Sequence, residues 1–301
     1  MRAVVIDETG GPEVLQLRDV ERGVPGDGEV LIEVHAASVN PMDWKRRQGT
    51  AQVTLPAVLG SDVSGTIVES RAEGFAEGDD VFGFAASGAY AEFAVTRGAI
   101  IAHKPEALTH AQAAALPVAG LTAWQALFDR AQLARGQAAV IAGAAGGVGH
   151  LAVQLAKHAG AVVTGIGSAN NRDFVLGLGA DRYVDYTREA PADAVTDADV
   201  AFDAVGGEVT ATLLETVREG GILVTIANAP PEQQAQERGA RAELLVMSAN
   251  AEQLAALADL LAGGEIRVEV SRTFPLAEVA EAHRLSESGH TRGKIVLAVS
   301  G

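Results

Sequence analysis

The sequence predicts a two-domain α/β protein in which a domain built on a parallel sheet is inserted into a β-rich module. The first hundred residues form short apolar segments separated by Gly and Pro, a pattern typical of a compact, barrel-like β module. From about Thr109 the chain becomes Ala-rich and then alternates strands with helices, which indicates βαβ units with helices on both sheet faces. The tail returns to a mixed pattern. We therefore assign 1–117 and 265–301 to the β-rich domain and 118–264 to the α/β domain.

The individual elements follow from hydrophobic periodicity and from turn residues. In the β-rich domain, strands are expected at 30–34, 65–69 and 90–95. In the α/β domain, strands are expected at 138–142, 161–166, 182–185, 199–205 and 222–227, with helices at 147–158, 171–178 and 208–218. A helix over 251–262 should end at Gly263 and Gly264. The tail should form a helix over 275–286 and a strand over 294–299.

Length, composition and charge exclude several classes of protein. A chain of 301 residues suits two domains, and 48% apolar with 21% charged residues is typical of globular proteins. The net charge of −16 argues against nucleic acid or an anionic membrane as the main partner. The absence of Cys excludes disulfides, thiolate zinc sites and cysteine nucleophiles. The N-terminus meets acidic residues too early for a signal peptide, so we expect a soluble, cytoplasmic protein.

The strongest local motif is the Gly-rich segment 142–149, which lies between a predicted strand and a predicted helix. Such a turn lets backbone N–H groups approach a pyrophosphate at the positive end of the helix. The usual pattern is modified, because Ala144 replaces the first glycine before Gly146 and Gly149. A turn that serves only helix–strand packing is the alternative, but the βαβ context favours dinucleotide binding. The predicted contacts are Ala145, Gly146, Gly147 and Val148.

The end of the second strand of this domain predicts the choice of cofactor. A site that prefers NAD places an acid about 20 residues after the glycine motif, where it accepts from the ribose 2′-hydroxyl. Here no acid precedes Asp173. Ser168 and Arg172 can instead donate to a 2′-phosphate, although Arg172 can also be a solvated residue of the first helical turn. The residues therefore favour NADPH.

Further segments follow one another in the order of a known family: 10–15, 38–43, 59–65, 78–83, 88–92, 113–117, 121–124, 178–181, 185–186 and 292–296. Together with the glycine motif, they resemble the zinc-independent quinone oxidoreductase branch of the medium-chain dehydrogenase/reductase superfamily, nearly from end to end. The resemblance implies a GroES-like β-rich catalytic domain and a Rossmann domain with a doubly wound parallel sheet. It also implies NADPH as cofactor, hydride transfer to a quinone or an activated alkene, and a homodimer.

The residues that bind zinc in related enzymes are replaced here. Zinc-dependent relatives carry a ligating Cys near position 40 and a Gly-His-Glu segment near position 60. This chain has Asn40 in the first place and Gly60-Ser61-Asp62 in the second. Without a Lewis acid, alcohol oxidation loses its usual stabiliser of the alkoxide. We therefore expect no metal and an acceptor whose own carbonyl group delocalises the incoming electrons.

The resemblance also suggests the catalytic residues, Asn40 and Asp43, in a loop that the family places at the active site. Asn40 could donate to a substrate carbonyl or to the nicotinamide amide. Asp43 is as consistent with a clamp that holds the loop, because Asx residues beside a proline favour turns for local reasons. Thr122 is either a helix N-cap or a residue near the nicotinamide and phosphates.

The remaining cofactor contacts are expected after the later strands and near the C-terminus. By resemblance Tyr186 lies near the 2′-phosphate, with sheet-edge packing as the alternative. Val205, Ile226 and Ala227 follow strands at the carboxyl edge of the sheet, where ligands bind in open α/β folds. His290, next to Arg292, can add a positive contact or be an ordinary surface residue.

Two other functions remain open. One is an enoyl-thioester reductase, which would act on a crotonyl thioester. The other is a non-catalytic NADPH-binding protein, which would bind the cofactor tightly without turnover on any quinone or enone. The apolar segment 244–247 is a candidate edge strand for pairing two copies across a two-fold axis.

Overall fold

A computed structural model describes residues 1–299 of the chain. These residues form two compact units, each with its own sheet structure. The first unit consists of Met1–Val118, Ala249–Gly263 and the residues from Val268 onward, and the second of Ala119–Ser248 and Gly264–Arg267. No helix within residues 1–299 is long and apolar enough to span a membrane.

The described residues form sixteen strands and ten α-helices. The strands are β1 (Arg2–Ile6), β2 (Gln16–Asp19), β3 (Glu29–Val39), β4 (Ala57–Val58), β5 (Asp62–Ser70), β6 (Asp80–Phe84), β7 (Phe93–Arg97), β8 (Ile101–His103), β9 (Ala138–Ala142), β10 (Val162–Gly167), β11 (Arg182–Asp185), β12 (Ala198–Asp203), β13 (Val217–Thr225), β14 (Arg241–Leu244), β15 (Val270–Pro275) and β16 (Lys294–Ala298). The helices are α1 (Pro41–Gln48), α2 (His110–Ala114), α3 (Pro117–Trp124), α4 (Gly149–His158), α5 (Arg172–Gly177), α6 (Pro191–Ala194), α7 (Glu208–Leu214), α8 (Glu232–Glu237), α9 (Ala251–Ala262) and α10 (Val279–Glu287).

The first unit is organised around β3, which is its longest strand and is largely buried. Strand β3 pairs antiparallel with β5, β7 and β16 in a seven-stranded sheet, and β1 lies between β2 and β4 in a second, three-stranded sheet. The register sets Ser38 against Asp62 on one side and against Val296 on the other. As a result, the end of β3 lies beside the beginnings of β5 and β16.

The second unit contains a six-stranded sheet in the order β11-β10-β9-β12-β13-β14, with every pair parallel. The order reverses between β9 and β12, where ligands bind in folds of this kind, outside the carboxyl ends of the strands. The predicted parallel sheet and its βαβ units are therefore present.

Some predicted bounds were wrong. The helix predicted over 208–218 ends at Leu214, and β13 begins at Val217. The β-branched Thr216 and Val217 favour a strand, and Gly220 in the left-handed region at φ +77° does not continue a helix.

The other differences also lie at the ends of elements. Pro275 ends β15 instead of opening a helix, and α10 begins at Val279. The strand predicted over 90–95 is β7, Phe93–Arg97. In the segment 244–247 only Leu244 belongs to a strand, as the last residue of β14.

Candidate active site

The carboxyl edge of the second unit's sheet collects most of the predicted cofactor residues. Each group follows a different strand of that sheet, and the carboxyl ends of parallel strands meet at one edge. The residues follow β9 (Ala145, Gly146, Gly147, Val148), β10 (Ser168, Arg172), β11 (Tyr186), β12 (Val205) and β13 (Ile226, Ala227).

The glycine turn after β9 is a tight backbone structure with unused donors. Gly143 has φ +68°, in the left-handed region that glycine adopts without strain. A Cβ atom on Gly149 would collide with the carbonyl oxygen of Gly143 and approach Ala144 Cα to 2.9 Å. Within residues 1–299, the N–H groups of Ala145, Gly147 and Val148 donate to no protein oxygen. Such free N–H groups before α4 fit a pyrophosphate.

The side chains that follow β10 offer donors for a 2′-phosphate. Ser168 is half-buried, and the Arg172 guanidinium is exposed, with its carbon 5.9 Å from the centre of the Tyr183 ring. The Tyr183 hydroxyl donates to the carbonyl oxygen of Ser168 at 2.6 Å and so fixes the backbone at this point. Tyr186, which follows β11, is 58% exposed.

Sequence reasoning missed an acidic residue beside this group. The parallel register of β10 and β11 pairs Gly167 with Asp185. The Asp185 carboxylate accepts from the Thr187 hydroxyl at 2.7 Å and from its N–H at 3.1 Å. The hydroxyl bond, above all, lowers the pKa of Asp185 below its usual value. Sequence reasoning considered only the end of the second strand of this domain, whereas the pairing of β10 with β11 brings Asp185 there from the third strand.

Another buried acid organises the loops after β12 and β13. Asp203 Oδ1 accepts from the N–H groups of Val205 and Gly206, both at 2.9 Å. Its Oδ2 accepts from the Thr225 hydroxyl, and Thr225 Oγ1 in turn accepts from the N–H of Ala227. A single carboxylate therefore fixes the backbone of both predicted loops.

The other two predicted cofactor residues belong to segments that do not directly follow a strand of this sheet. Thr122 is buried inside α3, as its sixth residue, so the N-cap alternative is wrong. His290 belongs to the first unit, is exposed, and has its Nδ1 2.5 Å from the carbonyl oxygen of Ser288.

In the first unit, Ser38, Asn40, Asp62 and Lys294 form a buried hydrogen-bonded group, which we call the strand-end cluster. Asn40 Nδ2 donates to Asp62 Oδ2 at 2.8 Å, and Lys294 Nζ donates to Asn40 Oδ1 at 2.5 Å. Ser38 Oγ donates to Asp62 Oδ2 at 2.6 Å, and Lys294 Nζ lies 3.7 Å from the same oxygen. The cluster forms because β3 ends where β5 and β16 begin.

Asp43 holds the loop that contains Asn40. Its Oδ2 accepts from the N–H of Asn40 at 2.8 Å and from the Tyr90 hydroxyl at 3.1 Å. Burial raises the pKa of Asp43 to about 6, while the bond from Asn40 opposes this shift. Oδ1 has no hydrogen-bond partner among the described residues. These contacts are those of a clamp at the N-terminus of α1.

A directed chain of hydrogen bonds leads to Asp43 from His283. Arg47 can only donate, so His283 Nδ1, 3.4 Å from Arg47 Nη1, accepts and the proton resides on Nε2. Nε2 then donates to the Tyr90 hydroxyl at 3.3 Å, and that hydroxyl donates to Asp43. Burial, together with the Arg47 charge, lowers the pKa of His283 to about 3.

Comparisons with known proteins agree with this architecture. A family model described as the alcohol dehydrogenase GroES-like domain matches residues 26–106, and one described as zinc-binding dehydrogenase matches residues 178–297. The quinone oxidoreductase of Mus musculus is 34% identical over 99% of this chain and 97% of its own length. The chain belongs to the quinone oxidoreductase branch of the medium-chain dehydrogenase/reductase superfamily.

Two further relatives support the same assignment. The structure of the quinone oxidoreductase from Coxiella burnetii has a TM-score of 0.95 and 37% identity, covering 100% of this chain and 99% of that one. The chloroplastic NADPH-dependent alkenal/one oxidoreductase of Arabidopsis thaliana is 34% identical over 99% of this chain and 79% of its own length. The predicted GroES-like and Rossmann fold class is confirmed, and the chain is an oxidoreductase of the quinone oxidoreductase type.

Two members of the strand-end cluster, Asn40 and Asp62, belong to the segments that distinguish this chain from zinc-dependent relatives in the sequence. Here the Asn40 amide and the Asp62 carboxylate are engaged in hydrogen bonds. Across residues 1–299, no group of three or more His, Cys, Asp or Glu side chains is arranged to hold a metal ion.

Lys294 and His283 are the residues that sequence reasoning missed in the first unit. Lys294 is only 4% exposed, although it opens the otherwise apolar strand β16. A lysine at the start of a buried strand is a signal that could have been used, because buried lysines are rarely unpaired. His283 gave no such signal, since a histidine in an amphipathic helix is unremarkable.

Proposed function

We propose that this chain catalyses hydride transfer from NADPH to a quinone or an α,β-unsaturated carbonyl compound, without zinc. The observation that carries the proposal is the row of free N–H groups at Ala145, Gly147 and Val148, followed at the same sheet edge by Ser168 and Arg172. The printed names of the relatives, quinone oxidoreductase and NADPH-dependent alkenal/one oxidoreductase, support the same chemistry.

Each part of the cofactor has residues suited to it. The proposed cofactor domain is 118–264, with 1–117 and 265–301 as the catalytic domain. The turn N–H groups of 145–148 would hold the pyrophosphate, and Ser168, Arg172 and Tyr186 the 2′-phosphate. The further proposed cofactor contacts are Thr122, Val205, Ile226, Ala227 and His290. When bound, NADPH supplies the hydride from its nicotinamide ring.

On the acceptor side, we assign the key polar contact to Asn40. Its Nδ2 carries two hydrogens, and one of them is donated to Asp62. The second can donate to an acceptor oxygen as negative charge develops there. Quinone reduction can take its proton from solvent, so the residues need not include a strong general acid. Asp43 acts by holding the Asn40 loop.

The chemistry of the donor set supports the proposed zinc independence. Position 40 offers an amide in place of a thiolate, and the Asp62 carboxylate already accepts from Ser38, Asn40 and the N–H of Val118. A cation would have to displace these donors and the Lys294 ammonium. We therefore expect activity to survive dialysis against a strong chelator, and a loss that zinc alone restores would contradict this part of the proposal.

The test is a panel of acceptors followed by NADPH absorbance. The panel contains a benzoquinone, a naphthoquinone, an alkenal, a crotonyl thioester and a simple ketone. Turnover with the quinones or the alkenal is the expected result. Turnover confined to the thioester would favour an enoyl-thioester reductase, and tight NADPH binding without any turnover would favour a non-catalytic protein.

We also propose that two copies associate through the edge strand β14. Leu244, the last residue of β14, is 42% exposed, and Val246, two residues beyond the strand, is 76% exposed. An unpaired strand edge with exposed apolar residues is a surface on which a second copy can add its own strand. Sedimentation of the wild type and of Val246→Lys would test this.

A further inference from the structure

The strand-end cluster contains a buried ion pair that the proposed hydride transfer does not itself use. Lys294 and Asp62 are 4% and 0% exposed, with Nζ and Oδ2 3.7 Å apart. A buried ion pair contributes little net stability compared with apolar residues of similar size. Its presence beside Asn40 therefore calls for a role other than holding the fold together.

The ion pair fixes the orientation of the Asn40 carboxamide. Asp62 as a carboxylate can only accept, so the group 2.8 Å from it must be the Asn40 NH₂. The Lys294 ammonium can only donate, so the atom 2.5 Å from it must be the Asn40 oxygen. A flipped amide would set NH₂ against ammonium and C=O against carboxylate, and both contacts would be repulsive.

The positions of the two partners are themselves determined by the sheet. Ser38 donates to Asp62 Oδ2, and the N–H of Val118 donates to Oδ1 at 3.0 Å, so both oxygens of the carboxylate are held. Lys294 begins β16, whose pairing with β3 places Ile295 opposite Val39. Neither partner can rotate away without breaking contacts at a strand end.

We propose that Lys294 and Asp62 are positioning residues, which lock the Asn40 carboxamide so that the same N–H faces the acceptor in every molecule. This inference rests on the role proposed for Asn40 in the reaction. According to this inference, Lys294 and Asp62 affect the rate of the chemical step through Asn40. They do not affect the affinity for cofactor.

Four variants test the inference: Lys294→Met, Asn40→Ala, and Lys294→Met combined with either Asp62→Asn or Asn40→Ala. We expect Lys294→Met to lower kcat by about tenfold or more, because small misplacements of a positioned group are costly. The dissociation constant of NADPH, measured by fluorescence, should change less than about twofold. Lys294→Met should also lower the melting temperature, because it leaves the Asp62 charge unpaired.

The double variants separate positioning from stability. Lys294→Met with Asp62→Asn removes both charges, so stability should recover while kcat remains low, since nothing then forces the amide orientation. In the Asn40→Ala background, Lys294→Met should lower kcat by less than about twofold, because the residue through which it acts is gone. The control is Lys104→Met, since the Lys104 side chain is 6% exposed and its Nζ lies 3.4 Å from the carboxylate of Asp80, and kcat should not change.

Two outcomes with the double variants would overturn the inference. One is recovery of kcat together with stability in the charge-free double variant, as a purely structural role requires. The other is an additive loss of kcat in the Asn40→Ala background. If Asn40→Ala alone keeps the wild-type kcat, the role proposed for Asn40 fails first. If Asn40→Ala loses activity and Lys294→Met does not, the inference about Lys294 and Asp62 is overturned while the role proposed for Asn40 stands.

Discussion

Replacing His283 by Gln should make the stability of this protein less sensitive to acid. Gln can donate to Tyr90 and accept from Arg47 as the imidazole does, but it does not titrate. The pKa of His283 lies at about 3 in the folded chain, against about 6.5 when unfolded. Between these values only the unfolded state binds the proton, so the contribution of His283 to stability falls as pH falls through this window.

The size of the effect follows from the unfolded pKa, because the folded residue stays neutral down to about pH 3. The imidazole of the unfolded chain is mostly neutral at pH 7.5 and mostly protonated at pH 5.5. Protonation of the unfolded chain over this range lowers the free energy of unfolding by about 1.4 kcal/mol. This range also stays above the isoelectric point near 4.8, where solubility is lowest. Urea unfolding of both proteins at the two pH values measures the difference.

The comparison takes the difference between wild type and His283→Gln at each pH and then the difference between the two pH values, so the contributions of the other titrating groups cancel. We expect the free energy of unfolding of the wild type, relative to His283→Gln, to fall by about 1.4 kcal/mol from pH 7.5 to pH 5.5. The exposed His158, replaced by Gln, serves as the control and should leave this difference near zero. An equal difference in the free energy of unfolding between wild type and His283→Gln at both pH values would refute the conclusion that His283 is buried as a neutral imidazole.

Three further predictions concern the candidate site. Relative to Asp43→Asn, the free energy of unfolding of the wild type should rise by about 0.8 kcal/mol from pH 7.5 to pH 5.5. The reason is that the pKa of Asp43, raised to about 6, lets the folded state bind a proton in this range. A rise on raising the pH would contradict this prediction. Arg172→Ala should weaken the binding of NADPH about tenfold and that of NADH less than about threefold in titrations at fixed ionic strength. The control is Arg135→Ala, which lies before β9 at the opposite sheet edge and should weaken the binding of neither cofactor. Equal losses for the two cofactors would remove Arg172 from the 2′-phosphate site. Asn40→Ala should lower kcat by about 5- to 150-fold with little change in NADPH affinity, and unchanged rates across the acceptor panel would remove it from the catalytic residues.

The sequence predicted the second unit well because its signals are local. Strands 138–142 and 182–185 of that unit have the predicted bounds, and so does helix 251–262 of the first unit. In each case a run of one periodicity is bounded by turn or cap residues within a few positions. The errors lie where two signals compete, as at Val217, where a helical pattern continues into β-branched residues and the sheet decides the outcome.

The strand-end cluster could not be predicted from such signals, because its contacts are far apart in the chain. Asn40 and Lys294 are separated by 254 positions, and Asn40 and Asp62 by 22. Only the registers of β3 with β5 and β16 bring them together, and a shift by one residue would turn these side chains to the opposite face. The same holds for Asp185, which reaches Gly167 through the pairing of β10 with β11.

The composition of the strand-end cluster bears on which acceptors the proposed reaction would favour. Asp62 and Lys294 balance each other, so the Asn40 hydrogen that is proposed to face the acceptor belongs to a group with no net charge. A neutral donor stabilises a developing oxyanion less than a metal ion or an unpaired cation would. The acceptor must then spread the incoming charge over its own atoms, as a quinone ring or an enone does and a simple ketone does not. Given the role proposed for Asn40, the charge balance of the cluster therefore favours the same class of acceptor that the names of the relatives indicate.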